Sequence, residues 1–197
     1  MARMDDLLAF AQLHGLKIGT IRDLIAYRLR KDRLVEQTAE AQFESRWGGT
    51  WTARTFVNKA GGAEQIALVK GHVDPARPTL VRMHALSIFS DAFAEHGARG
   101  GLLEGAMKAI AEEGAGVIVV INRPVADALT RSLRVRAGEA EARDVEQLRD
   151  YGVGAQILMA LGVHDMILLT NSHHTPVALG AYGLQIVGER PIPPVGA

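Results

Sequence analysis

The hydrophobic pattern of this chain changes period near its middle, and that change constrains the fold more than any single residue. From Leu34 the apolar positions alternate, so that LVEQTAEAQF, WTARTFV, EQIALVKGHV and TLVRMHALS read as four strands. The SRWGGT stretch between the first two carries Gly48 and Gly49, the strongest hairpin signal in the chain. A mostly antiparallel sheet is the expected product. After Gly100 the spacing becomes helical, with Leu103, Ala106 or Met107, and Ile110 on one face until Gly114. The wholly apolar run VIVVI at 117–121 then reads as a strand buried on both faces.

Residues 123–148, rich in Arg, Glu and Ala, read as one or two surface helices with an exposed turn at Gly138. Beyond them come a helix from about 152 to 161 closed by Gly162, a strand at 166–169, the loop TNSHHTP, a short helix after Pro176 and a last strand, LQIVGER. The fold class is therefore α/β, with a mixed or antiparallel sheet in the first half and a layered α/β second half. PIPPVGA reads as a frayed tail.

The first thirty-odd residues stand apart. Asp5 and Asp6 can start a helix whose apolar face (Leu7, Leu8, Ala11) ends at Gly15. Thr20 and Asp23 form a capping-box pattern before Ile21, Leu24, Ile25 and Leu29, and RLRKDR supplies cations to that helix's last turn. Lys+Arg and Asp+Glu are both 22, so no global field recruits nucleic acid or an anionic membrane. The absence of cysteine removes disulfides, thiolate nucleophiles and thiolate zinc sites. No apolar run is long enough to cross a bilayer, and MARMDD lacks the apolar core of a signal peptide, so a cytoplasmic protein is expected.

Five separate stretches, RDYGVGAQIL, LGVHDMILLTN, YGLQIVGERPI, VRMH and AIAEEGAGV, occur in the order in which the GTP cyclohydrolase II domain of riboflavin biosynthesis carries similar ones. The chain resembles that domain over roughly 45–192. MARMDDLLAFAQLHGLKIGTIRDLIAYRLR in turn resembles the closing segment of 3,4-dihydroxy-2-butanone 4-phosphate synthase, which is commonly fused upstream. On this resemblance residues 1–36 are the helical tail of a synthase domain and its linker, 37–192 the cyclohydrolase-like domain and 193–197 a tail.

The resemblance implies a zinc-dependent hydrolase that opens the guanine ring, releases formate and cleaves pyrophosphate from GTP, with three thiolates leaving one open zinc position. In MHALSIFSDAFAEHGARGG those thiolate positions fall on Ser87, Gly97 and Arg99, so the family zinc is expected to be absent. A rebuilt site from His84, Asp91 and His96 is the alternative, since imidazole with carboxylate is a legitimate zinc set; otherwise His84 is a partly buried polar residue and His96 a loop residue. The family's guanine- and phosphate-contacting loop corresponds to NRPVADA from Asn122, where Pro124, Val125 and Ala126 replace its Glu, Gly and Arg. Gln147 stands where the general base belongs, while Arg149 keeps the position of the arginine proposed to attack the α-phosphate. Thr170 and Asn171 match a nucleotide-contacting pair, but Thr175 replaces a phosphate-binding lysine, and His173 and His174 read as solvated loop residues.

Arg149 thus has two readings: part of a residual triphosphate site with Arg82 and Thr170, alongside His84 as a substrate-side residue, or a helix-start arginine beside Asp150 with no ligand. Three functions follow. The first is a catalytically silent domain serving a fused synthase as a structural, dimerising or regulatory module, itself forming a homodimer. The second is a sensor of a nucleotide or flavin-pathway metabolite. The third is an active cyclohydrolase with a rebuilt metal site.

Overall fold

The computed structural model describes residues 3–20, 27, 35–59, 63–97, 99–122, 127–139, 147–172 and 179–195, without the side chains of 147–151, 180 and 181. The chain divides into two compact units, Met1–Asp32 and Arg33–Ala197. In the first, helix α1 (Met4–His14) starts where Asp5 and Asp6 predict. The Arg3 N–H donates to the Asp6 carboxylate (2.9 Å), and Gly15 ends the helix in the left-handed conformation, φ 61°. The expected second helix around Ile21, Leu24, Ile25 and Leu29 lies outside the described residues, Tyr27 excepted.

The second unit is one seven-stranded sheet in the order β1-β2-β3-β5-β4-β6-β7. Its strands are β1 Val35–Ser45, β2 Gly49–Asn58, β3 Glu64–Lys70, β4 Thr79–Ala85, β5 Gly116–Ile121, β6 Asp165–Leu169 and β7 Gln185–Arg190. The first three form the antiparallel meander that the alternation predicts, with Gly48 and Gly49 at the β1–β2 turn. The fourth departs from the expected antiparallel run. β5 lies between β3 and β4, antiparallel to the one and parallel to the other, and β4, β6 and β7 continue in parallel. The reason is burial: the most apolar strand takes the position where both faces can be covered.

That covering sorts the side chains of VIVVI. Val117, Val119 and Ile121 join Phe56, Val81, Ile157 and Leu158 on the face covered by helix α4 (Gln147–Ala160). Ile118 and Val120 join Trp51, Leu80, Met107 and Ile110 on the face covered by helix α2 (Leu102–Glu113). Each fully buried branched side chain contributes about 1.5–3 kcal/mol. The glycines of YGVGAQIL serve this packing. A Cβ on Gly154 would collide with the Met83 methyl on β4, and one on Gly152 would sit 2.6 Å from the Tyr182 hydroxyl. Helix α4 also begins earlier than expected, at Gln147.

Helix α3 (Ala128–Arg136) is the surface helix read from composition; none of its residues is buried, and exposed Gly138 follows it with φ 75°. No helix among the described residues is long and apolar enough to cross a membrane.

The segment after β7 is not frayed as far as Val195. Ile192 is buried within the α2-side core. Its N–H donates to Asn171 Oδ1 (2.7 Å), and its carbonyl accepts from Asn171 Nδ2 (3.4 Å). Pro193 and Val195 then lie against α2 at Gly105 and Gly101. The prolines disguise this docking in the sequence, because they remove the periodicity from which an apolar anchor is read.

Gly105 is a test of the docking. An added Cβ there would stand 2.6 Å from the Pro193 carbonyl oxygen and 2.8 Å from Ile192 Cγ2. Helix propensity favours Gly105→Ala by about 1 kcal/mol, and overpacking opposes it by about 1–3 kcal/mol. Denaturant unfolding of this variant is expected to show a net loss of about 1 kcal/mol. A stabilised variant would mean that the segment does not sit there.

Candidate functional site

The parallel strands β4, β5 and β6 deliver their carboxyl ends to one edge of the sheet, where open α/β sheets present their sites. Arg82 and His84 stand on β4 near this edge, Asn122 follows β5, and Thr170 and Asn171 follow β6. The strand period puts Leu80, Arg82 and His84 on the α2 side.

His84 is 2% exposed, and its Nε2 lies 2.9 Å from Asp91 Oδ2. The same oxygen accepts the Ser87 N–H at 2.8 Å. Asp91 reaches back to β4 because Ile88–Ala92 forms a π-helical turn, a wider turn than the α-helix and one frequent at functional sites. Ser87 caps that turn by accepting the Ser90 N–H on its hydroxyl (3.3 Å). Burial by itself raises the Asp91 carboxyl. The His84 hydrogen bond, the Ser87 N–H and the fields of His84 and Arg99 outweigh it and hold the group below the ordinary carboxylate range.

Beyond the turn the chain loops through Ala94, a non-glycine residue at φ 53°, to Arg99, whose Nη2 donates to the Ala85 carbonyl at 2.9 Å. Arg136 closes the loop from outside. Its Nε and Nη2 grip the two Glu95 oxygens at 2.7 and 2.6 Å, and its guanidinium lies 3.9 Å from the centre of the Phe89 ring. This fork lowers the Glu95 carboxyl. Loop, turn and fork border an open cavity of about 370 Å³ lined by Ser87, Ser90, Glu95, His96, Arg99 and Arg136, among others.

The donor set does not suit a divalent metal. Gly97 has no side chain, a guanidinium stays protonated and cannot ligate, and His84, whose Nε2 lies on Asp91, leaves a single buried Nδ1 without a partner, one donor where a metal needs several. His96 lines the cavity, but among the described residues no three His, Cys, Asp or Glu converge as a metal site. Of the rebuilt set, only His84 and Asp91 come together.

The remaining sequence candidates have mostly architectural partners. Arg82 Nη1 donates to the Leu169 carbonyl (3.0 Å), tying β4 to β6. Thr170 closes a local turn, donating to the Ser172 carbonyl (3.0 Å) and accepting the Ser172 N–H (3.1 Å). Asn171 holds Ile192. The Arg149 side chain, residues 123–126 and the loop with His173, His174 and Thr175 lie outside the described residues. Sequence reasoning missed Arg136, Glu95 and Ser90. Arg136 belongs to a charge-rich surface helix and meets a partner 41 positions away, a pairing with no local signature.

A family model described as GTP cyclohydrolase II matches residues 36–191. The chain is 38% identical over 205 residues to riboflavin biosynthesis protein RibBA of Aquifex aeolicus, covering 98% of this chain and 50% of that one. It is 39% identical over 198 residues to the monofunctional riboflavin biosynthesis protein RIBA 2, chloroplastic, of Arabidopsis thaliana, covering 98% and 41%. Among solved structures it is similar to RibBX, a two-domain 3,4-dihydroxy-2-butanone 4-phosphate synthase from A. baumannii. There the TM-score is 0.59 at 29% identity, covering 99% of this chain and 51% of that one. The chain spans about half the length of the curated relatives it matches.

The His84–Asp91 pair predicts a pH signature. With the folded Asp91 value below the unfolded one, its contribution to stability is complete above the ordinary range, about pH 4, and disappears as pH falls through the lower folded value. Asp91→Ala orphans the buried His84 Nε2 and the Ser87 N–H, which is expected to cost about 2 kcal/mol at neutral pH. In denaturant titrations the gap between parent and variant should narrow below about pH 4. A gap independent of pH would contradict this account.

Proposed function

Because the chain belongs to the GTP cyclohydrolase II family and contains no cysteine, we propose that this domain does not open GTP. In this reading it is a structural, dimerising or regulatory module for a 3,4-dihydroxy-2-butanone 4-phosphate synthase on the same polypeptide. The observation that carries the reading is Arg99, which the resemblance aligns with a thiolate position and whose guanidinium is bonded to the Ala85 carbonyl beside the closed His84–Asp91 pair. A metal-activated water, a general base and a phosphate clamp act as a unit, so losing several members removes most of the rate advantage. Gln147 in the base position and Thr175 in the lysine position extend the same loss.

The synthase side of the proposal draws on relatives about twice as long as this chain and on the two-domain synthase RibBX. It draws as well on exposed Phe10 and Leu13 of α1 and Leu16 just beyond it, apolar surface suited to burial in a neighbouring domain. Residues 1–36 are then the end of the synthase domain and its linker. A fold whose core is kept while its chemical positions are substituted fits a role in packing or partnership.

A second reading, a metabolite sensor, is favoured by the open cavity beside Arg99 and Arg136. Thermal-shift titration with GTP and flavin nucleotides tests it, since a ligand at 100 times its Kd stabilises a fold by about 2.7 kcal/mol.

For the main reading, the purified protein is expected to hold substoichiometric zinc and to release neither formate nor pyrophosphate from GTP above background, with zinc added or not. Stoichiometric zinc together with turnover would overturn it. Where the polypeptide carries both domains, deleting residues 37–195 should impair the synthase's stability, assembly or activity; a synthase unaffected in all three would remove the modular role.

A further inference from the structure

We infer that the cavity at the carboxyl end of β4 binds a small phosphate-class oxyanion, with Arg99 as its anchor. The first ground is charge. Two of the cavity's three charged lining groups, Glu95 and Arg136, neutralise one another through a two-pronged ion pair. Arg99 is the third, and among the described residues no carboxylate lies within 4.0 Å of it. Asp91, the nearby buried acid, directs Oδ2 to His84 and Ser87. The cavity therefore presents one exposed guanidinium with no direct ion-pair partner, opposed only at longer range by the Asp91 carboxylate, and this disfavours a cation there.

Donor geometry is the second ground. A guanidinium carries five N–H donors in a planar fork, and among the described residues Arg99 donates one hydrogen bond, Nη2 to the Ala85 carbonyl. That bond orients the fork and leaves donors for two oxygens of an oxyanion. Ser87 and Ser90 add hydroxyls to the same lining, and Ser90 Oγ, which accepts from Ser87 at 3.4 Å, keeps its own proton to donate. Donors from a planar fork and a separate hydroxyl suit a tetrahedral anion, which offers oxygens out of one plane. About 370 Å³ exceeds what inorganic phosphate needs and admits the organic part of a small monoester. This inference is independent of whether the domain is catalytically silent.

The test is calorimetric and thermal-shift titration of the intact chain with inorganic phosphate and, separately, ribose 5-phosphate, against chloride at matched ionic strength. Saturable binding of phosphate that chloride does not reproduce is the expected result; none at millimolar phosphate overturns the inference. Tighter binding of ribose 5-phosphate identifies a monoester as the preferred guest, and tighter binding of the inorganic ion identifies the free anion. Arg99→Met should abolish binding, and Arg99→Lys, which keeps the charge without the fork, should weaken it about tenfold. Arg136→Met releases Glu95, so it should weaken binding less than Arg99→Met does. Unchanged phosphate affinity in both Arg99 variants, or loss of binding in Arg136→Met alone, would place any anion elsewhere. Should Arg99→Met fail to fold, Arg99→Lys decides alone: parental affinity would overturn the anchor role.

Discussion

The double-sided burial of β5 is the constraint on which the rest of this domain depends. A strand with branched apolar side chains on both faces is stable only when two layers cover it, and here α2 supplies one and α4 the other. With β5 fixed at the centre, β4 must join it from the far side in parallel, through the crossover that contains α2. That crossover leaves the end of β4 open to solvent. The π-helical turn, the Arg99 loop and the cavity occupy the opening. The position of the candidate site is therefore a consequence of core packing, whatever chemistry the site retains.

Much of the fold was legible because its signals are local. The alternation over 34–87, the glycine pair at 48 and 49, and the helical spacing after Gly100 each act within a few residues and gave strands, turn and helix close to those observed. Strand order was not legible, because it depends on which strand needs two covered faces, a comparison among distant segments. The candidate site divides in the same way. The residues that the resemblance sets at the thiolate positions, Ser87, Gly97 and Arg99, can be read from the sequence itself, as can the proximity of His84 to Asp91. The Arg136–Glu95 fork is not, because an arginine in a charged surface helix looks the same whether it faces water or a carboxylate 41 residues away. Asn171 also misleads at the sequence level: its amide matches a ligand contact in the resemblance, yet both of its polar atoms serve the chain at Ile192.

The loop after β4 has no metal-ligand set among the described residues, and yet it is ordered by several independent contacts. Asp91 holds the turn to His84, Arg99 holds the loop's end to Ala85, and Arg136 holds its middle through Glu95 and Phe89. Ordinary side-chain polarity can thus define the shape of a loop that contains no cysteine. Exposed ion pairs are weakened by salt, so the outer part of this loop is more sensitive to ionic strength than its buried His84–Asp91 root.

The seating of Ile192 also bears on how the domain folds. Trp51, near the start of the meander, and Ile192, beyond the last strand, belong to one core cluster. A core that joins residues so far apart in sequence raises the contact order, and the entropy of closing that long loop comes before the contact can reward it. The antiparallel β1–β3 meander can form from neighbouring segments alone. The α2-side core is complete only with Leu169 of β6 and Ile192 beyond β7 in place, so it depends on the longest-range contacts of the domain.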